Sequence, residues 1–290
     1  MSTGTRITAF GLALAVVAGV GAAAGGALDP LREPDAPMGH GAGHGAEPGH
    51  AGETVAAHGP GGLAVAEGGL TLAPETTTLE RDAPQRLAFR VIDAEGATVT
   101  NFDRAHERDM HLIVVRRDLT GYQHLHPRRD ADGRWTVRLR LPAAGVYRAY
   151  ADFRTGGHAV TLATDLHVGG TYAPADLPGP RISDTIAGYR VDIDARHPSA
   201  RGSAAIAYRV SRAGEPVADL QPYLGADGHL VALREGDLAL LHVHPEESSG
   251  RPGEIRFAAT FPSAGRYRLF LQFRHDGHVR TVAHTVVVGR

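Results

Sequence analysis

Two stretches of the chain carry the same pattern of histidines. The first, DMHLIVVRRDLTGYQHLHP, runs from Asp109 to Pro127, and the second, DGHLVALREGDLALLHVHP, runs from Asp227 to Pro245. Unrelated apolar strands do not share three histidines, an aspartate and a proline at fixed offsets, so the pattern indicates an internal duplication. The matched positions, 118 residues apart, are Asp109/Asp227, His111/His229, His124/His242, His126/His244 and Pro127/Pro245.

The similarity between the two copies extends well beyond these stretches. LPAAGVYR from Leu141 corresponds to FPSAGRYR from Phe261. Runs such as Tyr267–Phe273 alternate apolar and polar residues with period two, which is typical of half-buried antiparallel strands. Turn signals recur at short spacing, and neither copy shows a helical stripe with caps. We therefore predict an all-β fold of two tandem immunoglobulin-like β-sandwich domains, at 63–170 and 181–290.

The part of the chain before the repeats has a different composition. Residues 1–28 include an uncharged apolar segment of 22 residues that ends at Leu28. Its length is close to the roughly 20 residues that span a bilayer, and small residues near its end resemble a cleavage site. We predict an apolar helix that serves as a membrane anchor or a secretory signal. Either role places the rest of the chain outside the cytoplasm.

Residues 29–62 are rich in Gly, Pro and Ala, which predicts a disordered, flexible tether. The tether contains His40, His44 and His50 beside Met38. A His-rich tract of this kind can recruit metal weakly, and the alternative is that its histidines are incidental to a linker.

Composition excludes several classes of function. The net charge of -2 offers no electrostatic footprint for nucleic acid, so no nucleic-acid partner is expected. The chain has no Cys, which excludes disulfides, thiolate ligands and a blue-copper centre. No nucleophile elbow, P-loop, dinucleotide fingerprint or zinc-protease helix is present, so we do not expect an enzyme.

The spacing of the histidines predicts that they meet on one face of a hairpin. A two-residue turn at Gly236-Asp237 would place His229 opposite His244, with His242 on the same face by period two. In the first copy, a two-residue turn at Asp118-Leu119 would likewise place His111 opposite His126, with His124 on the same face. The two predicted triplets are His111, His124, His126 and His229, His242, His244.

Clustered imidazoles have two interpretations. Imidazole is the commonest protein ligand for late transition metals, and three can fill most of a coordination shell, which predicts one copper or zinc site per domain. Alternatively, the histidines hydrogen-bond to backbone and only brace the hairpins of a cell-surface structural or interaction module, while the proline ends strand pairing. Candidate additional or outer ligands are Asp109, Asp227, Met110, His158 and His278.

The motif DMHLIVVRRDL…QHLHP, followed by LPAAGVYRAYADF, resembles uncharacterised extracytoplasmic proteins of actinobacteria. The likeness covers residues 63–290. The hairpin is more distantly similar to YtkA-like and copper-resistance CopC-like β-sandwich domains, which are associated with heavy-metal handling. The resemblance implies a membrane-anchored or secreted β-sandwich protein related to copper. Our leading hypothesis is an extracytoplasmic protein that buffers or delivers copper or zinc, with its protein partners left open.

Overall fold

A computed structural model describes residues 61–195, 198–241 and 243–290. The predicted N-terminal helix, nearly all of the tether and His242 lie outside these residues. The described ranges form strands, turns and loops, and they contain no helix that is long and apolar enough to cross a bilayer. The prediction of an all-β fold is confirmed for this part of the chain.

The first repeat contains ten strands in two sheets. The strands are β1 (Ala66–Glu67), β2 (Leu70–Pro74), β3 (Thr78–Leu79), β4 (Gln85–Ile92), β5 (His111–Arg116), β6 (Gln123–Leu125), β7 (Arg128–Arg129), β8 (Trp135–Leu139), β9 (Gly145–Thr155) and β10 (His158–Val168). One sheet has the order β1-β2-β4-β8-β7 and the other has the order β3-β10-β9-β5-β6. Strand β3 lies at the edge of the second sheet and runs parallel to β10. Edge strands of immunoglobulin-like sandwiches can cross between the two sheets in this way.

The second repeat also has ten described strands in two sheets. They are β11 (Ser183–Ile186), β12 (Tyr189–Asp194), β13 (Ser203–Arg212), β14 (Glu215–Pro216), β15 (His229–Arg234), β16 (Leu240–Leu241), β17 (Val243–Pro245), β18 (Glu254–Thr260), β19 (Gly265–His275) and β20 (His278–Val288). The second repeat has no counterpart of β3 among these described strands and has a short strand, β14, that the first repeat lacks. One sheet has the order β11-β12-β13-β18-β17, with β14 paired to β13, and the other has the order β16-β15-β19-β20.

Each repeat encloses its own apolar core between its two sheets. Both cores are closed by a tyrosine near the start of the long penultimate strand. The Tyr147 hydroxyl donates a hydrogen bond to the Ala143 carbonyl at 2.9 Å, and the Tyr267 hydroxyl donates to the Ser263 carbonyl at 2.9 Å. This bond to a backbone carbonyl four residues upstream is the tyrosine corner of immunoglobulin-like sandwiches.

A third apolar cluster, which we call the junction core, joins the two repeats. All six positions of β5 are buried, although a sheet strand with one solvated face would alternate. The reason is that Leu112 faces the core of the first repeat while Ile113 and Val115 face the second repeat. The junction core consists of Ile113, Val115, Leu119, Tyr150, Ala163, Val231, Leu233, Leu238, Leu240 and Phe270.

Two side chains tie the junction core together. The rings of Tyr122 and Phe270 stack with their centres 4.0 Å apart and their planes within 6°. The buried Tyr150 hydroxyl donates a hydrogen bond of 2.5 Å to the Leu238 carbonyl across the junction. The two repeats therefore belong to one compact unit.

Candidate metal centre

The β5–β6 hairpin brings the first three histidines to the end of the junction core. Its ladder pairs Leu112 with Leu125 and Ile113 with His124, which is the predicted register. The turn itself is not a simple two-residue turn, because Leu119 adopts a positive φ of 63° and its amide donates to the Arg116 carbonyl at 2.8 Å. The register beyond the turn is nevertheless the one expected from the sequence.

Three imidazoles of the first repeat converge within this hairpin. The nearest ligand atoms of His111, His124 and His126 all lie within 4.8 Å of one another. The ring centres are 5.2 Å apart for His111 and His124, 5.2 Å for His111 and His126, and 4.9 Å for His124 and His126. His111 is buried, and the other two are partly buried. The predicted triplet of the first repeat is thus assembled.

A fourth imidazole, that of His229, comes from the second repeat. Its ring centre lies 4.8 Å from that of His124 and 5.9 Å from that of His111. His229 begins β15 and shares a strand face with Val231 and Leu233, which belong to the junction core. The packing of the two repeats therefore carries His229 to the triplet of the first repeat.

The expected pairing of His229 with His244 is wrong. The β15–β16 ladder has the predicted register, with Ala232 opposite Leu241, but β17 pairs with β18 in the other sheet, and His244 is exposed there. The physical reason is that the chain changes sheets right after Leu241, whereas β6 of the first repeat stays on β5 through Leu125. His242, the third member predicted for this triplet, lies outside the described residues.

None of the additional Asp and His candidates joins His111, His124 and His126 as a group that could hold a metal ion among the described residues. Met110 is 1% exposed and packs in the core of the first repeat, on the opposite face of β5 from His111. Asp109, His158 and His278 are exposed to solvent, and His278 Nδ1 is 2.6 Å from the Asp276 carbonyl oxygen. Thioether ligation by Met110 is incompatible with its position. Asp227 is partly buried, two residues before His229.

Hydrogen bonds on the outer side of the cluster determine which ring nitrogens carry protons. His111 Nε2 lies 3.2 Å from the Ala105 carbonyl oxygen, so it donates. His124 Nδ1 lies 2.6 Å from Oε1 of Gln272, an amide oxygen that accepts, so this nitrogen also donates. A neutral imidazole carries one N–H. The two inner nitrogens, His111 Nδ1 and His124 Nε2, therefore both present lone pairs, and they face each other at 3.0 Å.

Burial keeps these imidazoles neutral. Desolvation lowers the pKa of His111 and lowers that of His124 well below its usual value. Burial, with neighbouring histidines adding to it, lowers the pKa of His126 to about 4 and that of His229 to about 3. A shared proton between His111 and His124 is thus disfavoured at neutral pH. In addition, His126 Nε2 is buried and has no hydrogen-bond partner among the described residues.

Two further residues border the cluster. His106 is exposed on the loop before β5, and its ring centre lies 6.1 Å from those of both His111 and His229. Asp152 lies directly opposite His111 on β9, and its carboxylate acts against the effect of burial on the pKa of His111. Sequence reasoning missed the contribution of His229 and Gln272 to this site. The sequence did contain a signal for it: both faces of β5 and β15 carry apolar residues, a pattern typical of strands that are buried on both faces.

Solved structures with low sequence identity resemble the chain. FdeC, an adhesin of Escherichia coli, is 17% identical with a TM-score of 0.27, over 78% of this chain and 65% of FdeC. The S-layer protein SbsC, domains 4 and 5, is 12% identical with a TM-score of 0.25, over 78% and 100%. Invasin, a bacterial integrin-binding protein, is 15% identical with a TM-score of 0.23, over 76% and 39%. This chain thus spans less than two thirds of FdeC and of invasin.

Likenesses with TM-scores of 0.23 to 0.27 carry no weight for function. No curated protein matches the chain significantly. A family model described as "Domain of unknown function (DUF8832)" matches it twice, at residues 64–170 and 184–290. The chain therefore belongs to the DUF8832 family and contains two tandem copies of its domain.

Proposed function

We propose that the protein binds a transition-metal ion, copper or zinc, through His111, His124 and His126. The observation that carries this proposal is the 3.0 Å separation of two ring nitrogens, His111 Nδ1 and His124 Nε2, whose outer hydrogen bonds place the protons on the opposite nitrogens. Two lone pairs at this distance repel each other unless a cation lies between them. Outer carbonyl acceptors that leave the inner nitrogens free are the usual surroundings of metal-bound histidines.

The spacing of the rings supports the same proposal. A zinc–nitrogen bond is about 2.0–2.1 Å, and a ring nitrogen lies about 1.2 Å from its ring centre, so tetrahedrally bound imidazoles have ring centres about 5.2 Å apart. The three distances within the triplet are 5.2, 5.2 and 4.9 Å. Only small side-chain movements are then needed for the three rings to share one ion.

The chemistry of the donors narrows the choice of ion. The chain has no Cys, and Met110 lies in an apolar core, so no sulfur ligand from the described residues reaches the cluster. Imidazole suits zinc and copper, and a tetrahedral arrangement suits Zn²⁺ better than Cu²⁺, which prefers tetragonal geometry. Together with the predicted apolar segment at 1–28, this supports an extracytoplasmic protein, anchored or secreted, that buffers or delivers such an ion.

Calorimetric titration of the full chain with Zn²⁺ and with Cu²⁺ tests the proposal. Because the tether histidines can take up metal, they are first changed to alanine in all proteins compared. We expect one tight equivalent, which His126→Ala weakens strongly. His244→Ala is the matched control, since His244 is the exposed twin of His126 and its loss should change nothing. A chain that binds neither ion at micromolar concentration and neutral pH would end the metal proposal.

The alternative function, a cell-surface structural or interaction module, is favoured by a different observation. His111 bonds to the Ala105 carbonyl and His124 bonds to Gln272 of the second repeat, so the histidines also tie the hairpin to its surroundings. In that case a chelator leaves the unfolding temperature unchanged, while replacing either histidine lowers it. In the metal case the chelator itself lowers the unfolding temperature.

A further inference from the structure

We propose that His229 is a fourth ligand, so that a single ion is bound by both repeats at once. This proposal rests on the proposed function and extends it to the ligand set and geometry of the site. A separate ion in each domain, as the duplication suggests, would leave His229 with partners from its own repeat. Among the described residues, its ring contacts are with His106, His111 and His124 of the first repeat, while His244 of its own repeat is exposed in the other sheet.

The His229 ring lies beside two of the three rings of the triplet. Its centre lies 4.8 Å from the His124 ring centre and 5.9 Å from the His111 ring centre. These two values lie on either side of the separation of about 5.2 Å that tetrahedral imidazoles require. Five of the six pairs among the four rings have centres between 4.8 and 5.9 Å apart. The described ring contacts do not include the sixth pair, His126 and His229, and the group whose ligand atoms all lie within 4.8 Å of one another consists of His111, His124 and His126. The His229 side chain therefore has to rotate toward the triplet for all four rings to bind one ion.

The second repeat also controls a ligand that belongs to the first. Gln272 lies directly opposite His229 on the adjacent strand β19. Its Oε1 accepts the hydrogen bond from His124 Nδ1 at 2.6 Å, which turns the free nitrogen of His124 inward. One strand pair of the second repeat thus supplies a ligand and also orients another. The site is incomplete in either repeat alone.

A shell of four imidazoles has a chemical consequence. Structural and storage zinc sites fill all four tetrahedral positions with protein ligands, whereas catalytic sites leave one position to water or substrate. With His229 bound, no position remains for a substrate. The ligand class is therefore a tetrahedral ion such as Zn²⁺, held without an exchangeable water, and its binding fastens the two repeats to each other.

The test compares the full chain, with its tether histidines replaced, to its His229→Ala and His229→Gln variants. Zn²⁺ affinity is measured by competition with a chelator, and the number of imidazoles is counted by X-ray absorption spectroscopy of the zinc-loaded proteins. We expect four imidazoles in the parent and three plus a water oxygen in both variants, with affinity reduced at least tenfold and the stoichiometry unchanged. The glutamine variant guards against misfolding, because glutamine retains the bulk and the hydrogen-bonding capacity of the side chain at this partly buried position. His244→Ala, also in the second repeat, is the control and should match the parent.

Each outcome decides between the two proposals. Unchanged affinity and three imidazoles in the parent, with binding abolished by His124→Ala, would overturn the role of His229 and leave the proposed function standing. A parent chain that does not bind Zn²⁺ at all would remove both. Loss of one imidazole in the His229 variants supports the shared site.

Discussion

Replacing Gln272 by leucine separates the two functions proposed for the histidine cluster. The side chain of Gln272 is 5% exposed, accepts from His124 Nδ1 and donates through Nε2 to the Thr281 hydroxyl at 3.3 Å. Leucine has a similar size but no acceptor. Without the acceptor, His124 can move its proton to Nε2 and donate to His111 Nδ1, which already lies 3.0 Å away. The metal-free protein then exchanges one hydrogen bond for another.

The expected free-energy changes differ in size between metal binding and stability. Removing the outer hydrogen-bond partner of a metal-bound histidine typically costs 10–100-fold in affinity, which is about 1.4–2.7 kcal/mol. The free energy of unfolding of the metal-free protein should change by less than about 1 kcal/mol, because the His111–His124 bond compensates. If the histidines serve only as braces, the lost bond between the repeats should instead destabilise the metal-free protein by about 1–3 kcal/mol.

The assays are Zn²⁺ competition titration and urea unfolding in the presence of a chelator. Gln272→Glu is the matched control, because its carboxylate retains the acceptor and should preserve the affinity. Zinc affinity within twofold of the parent in Gln272→Leu, or a loss of more than about 1 kcal/mol of metal-free stability, would refute the reasoning about the lone pairs.

Three further predictions concern stability. Burial lowers the pKa of His229 to about 3 in the folded chain, whereas a histidine in the unfolded chain has its ordinary pKa of about 6.5. Between these two pH values the unfolded chain binds more protons, so the folded state loses stability as the pH falls. In urea unfolding of the metal-free protein, His229 alone should therefore contribute about 2 kcal/mol to the stability lost between about pH 7.5 and about pH 5, and His229→Ala should reduce the total loss by about that amount. Tyr150→Phe leaves the Leu238 carbonyl without its donor and should cost about 1–2 kcal/mol by the same assay; an unchanged midpoint would contradict the bond across the junction. Asp118→Asn removes the 5%-exposed carboxylate partner of a buried arginine and should cost about 3 kcal/mol, whereas Asp237→Asn, at a 40%-exposed carboxylate, should cost less than about 1 kcal/mol.

Local sequence rules were sufficient for the first histidine triplet. The register of a hairpin follows from its turn and from the alternation of side chains, and both were readable around Asp118. The bulged turn at Leu119 did not change the face on which His124 lies. The all-β fold and the two repeats follow from period-two patterning and fixed offsets, which are also properties of the sequence alone.

The meeting of the two repeats could not be read from local rules. Period two indicates which residues share a face of a sheet, but it does not say what covers that face. The runs from His111 to Arg116 and from His229 to Arg234 are nearly continuously apolar, a pattern of strands buried on both faces. Counting both faces as buried would have indicated that His229 lies at an interface. The early change of sheet after Leu241 has no comparable signal.

The junction core is built from equivalent positions of the two repeats: Ile113 and Val231, Val115 and Leu233, Tyr150 and Phe270. Such self-matching surfaces are those of a twofold-symmetric homodimer, here contained in one chain. In a homodimer of identical chains, every substitution appears in both halves of the interface. Within one polypeptide the two halves are free to diverge, as Asp152 and its counterpart Gln272 have done. Covalent fusion thus allows an asymmetric pocket beside a symmetric contact, and a single repeat expressed alone should associate with itself through the same face.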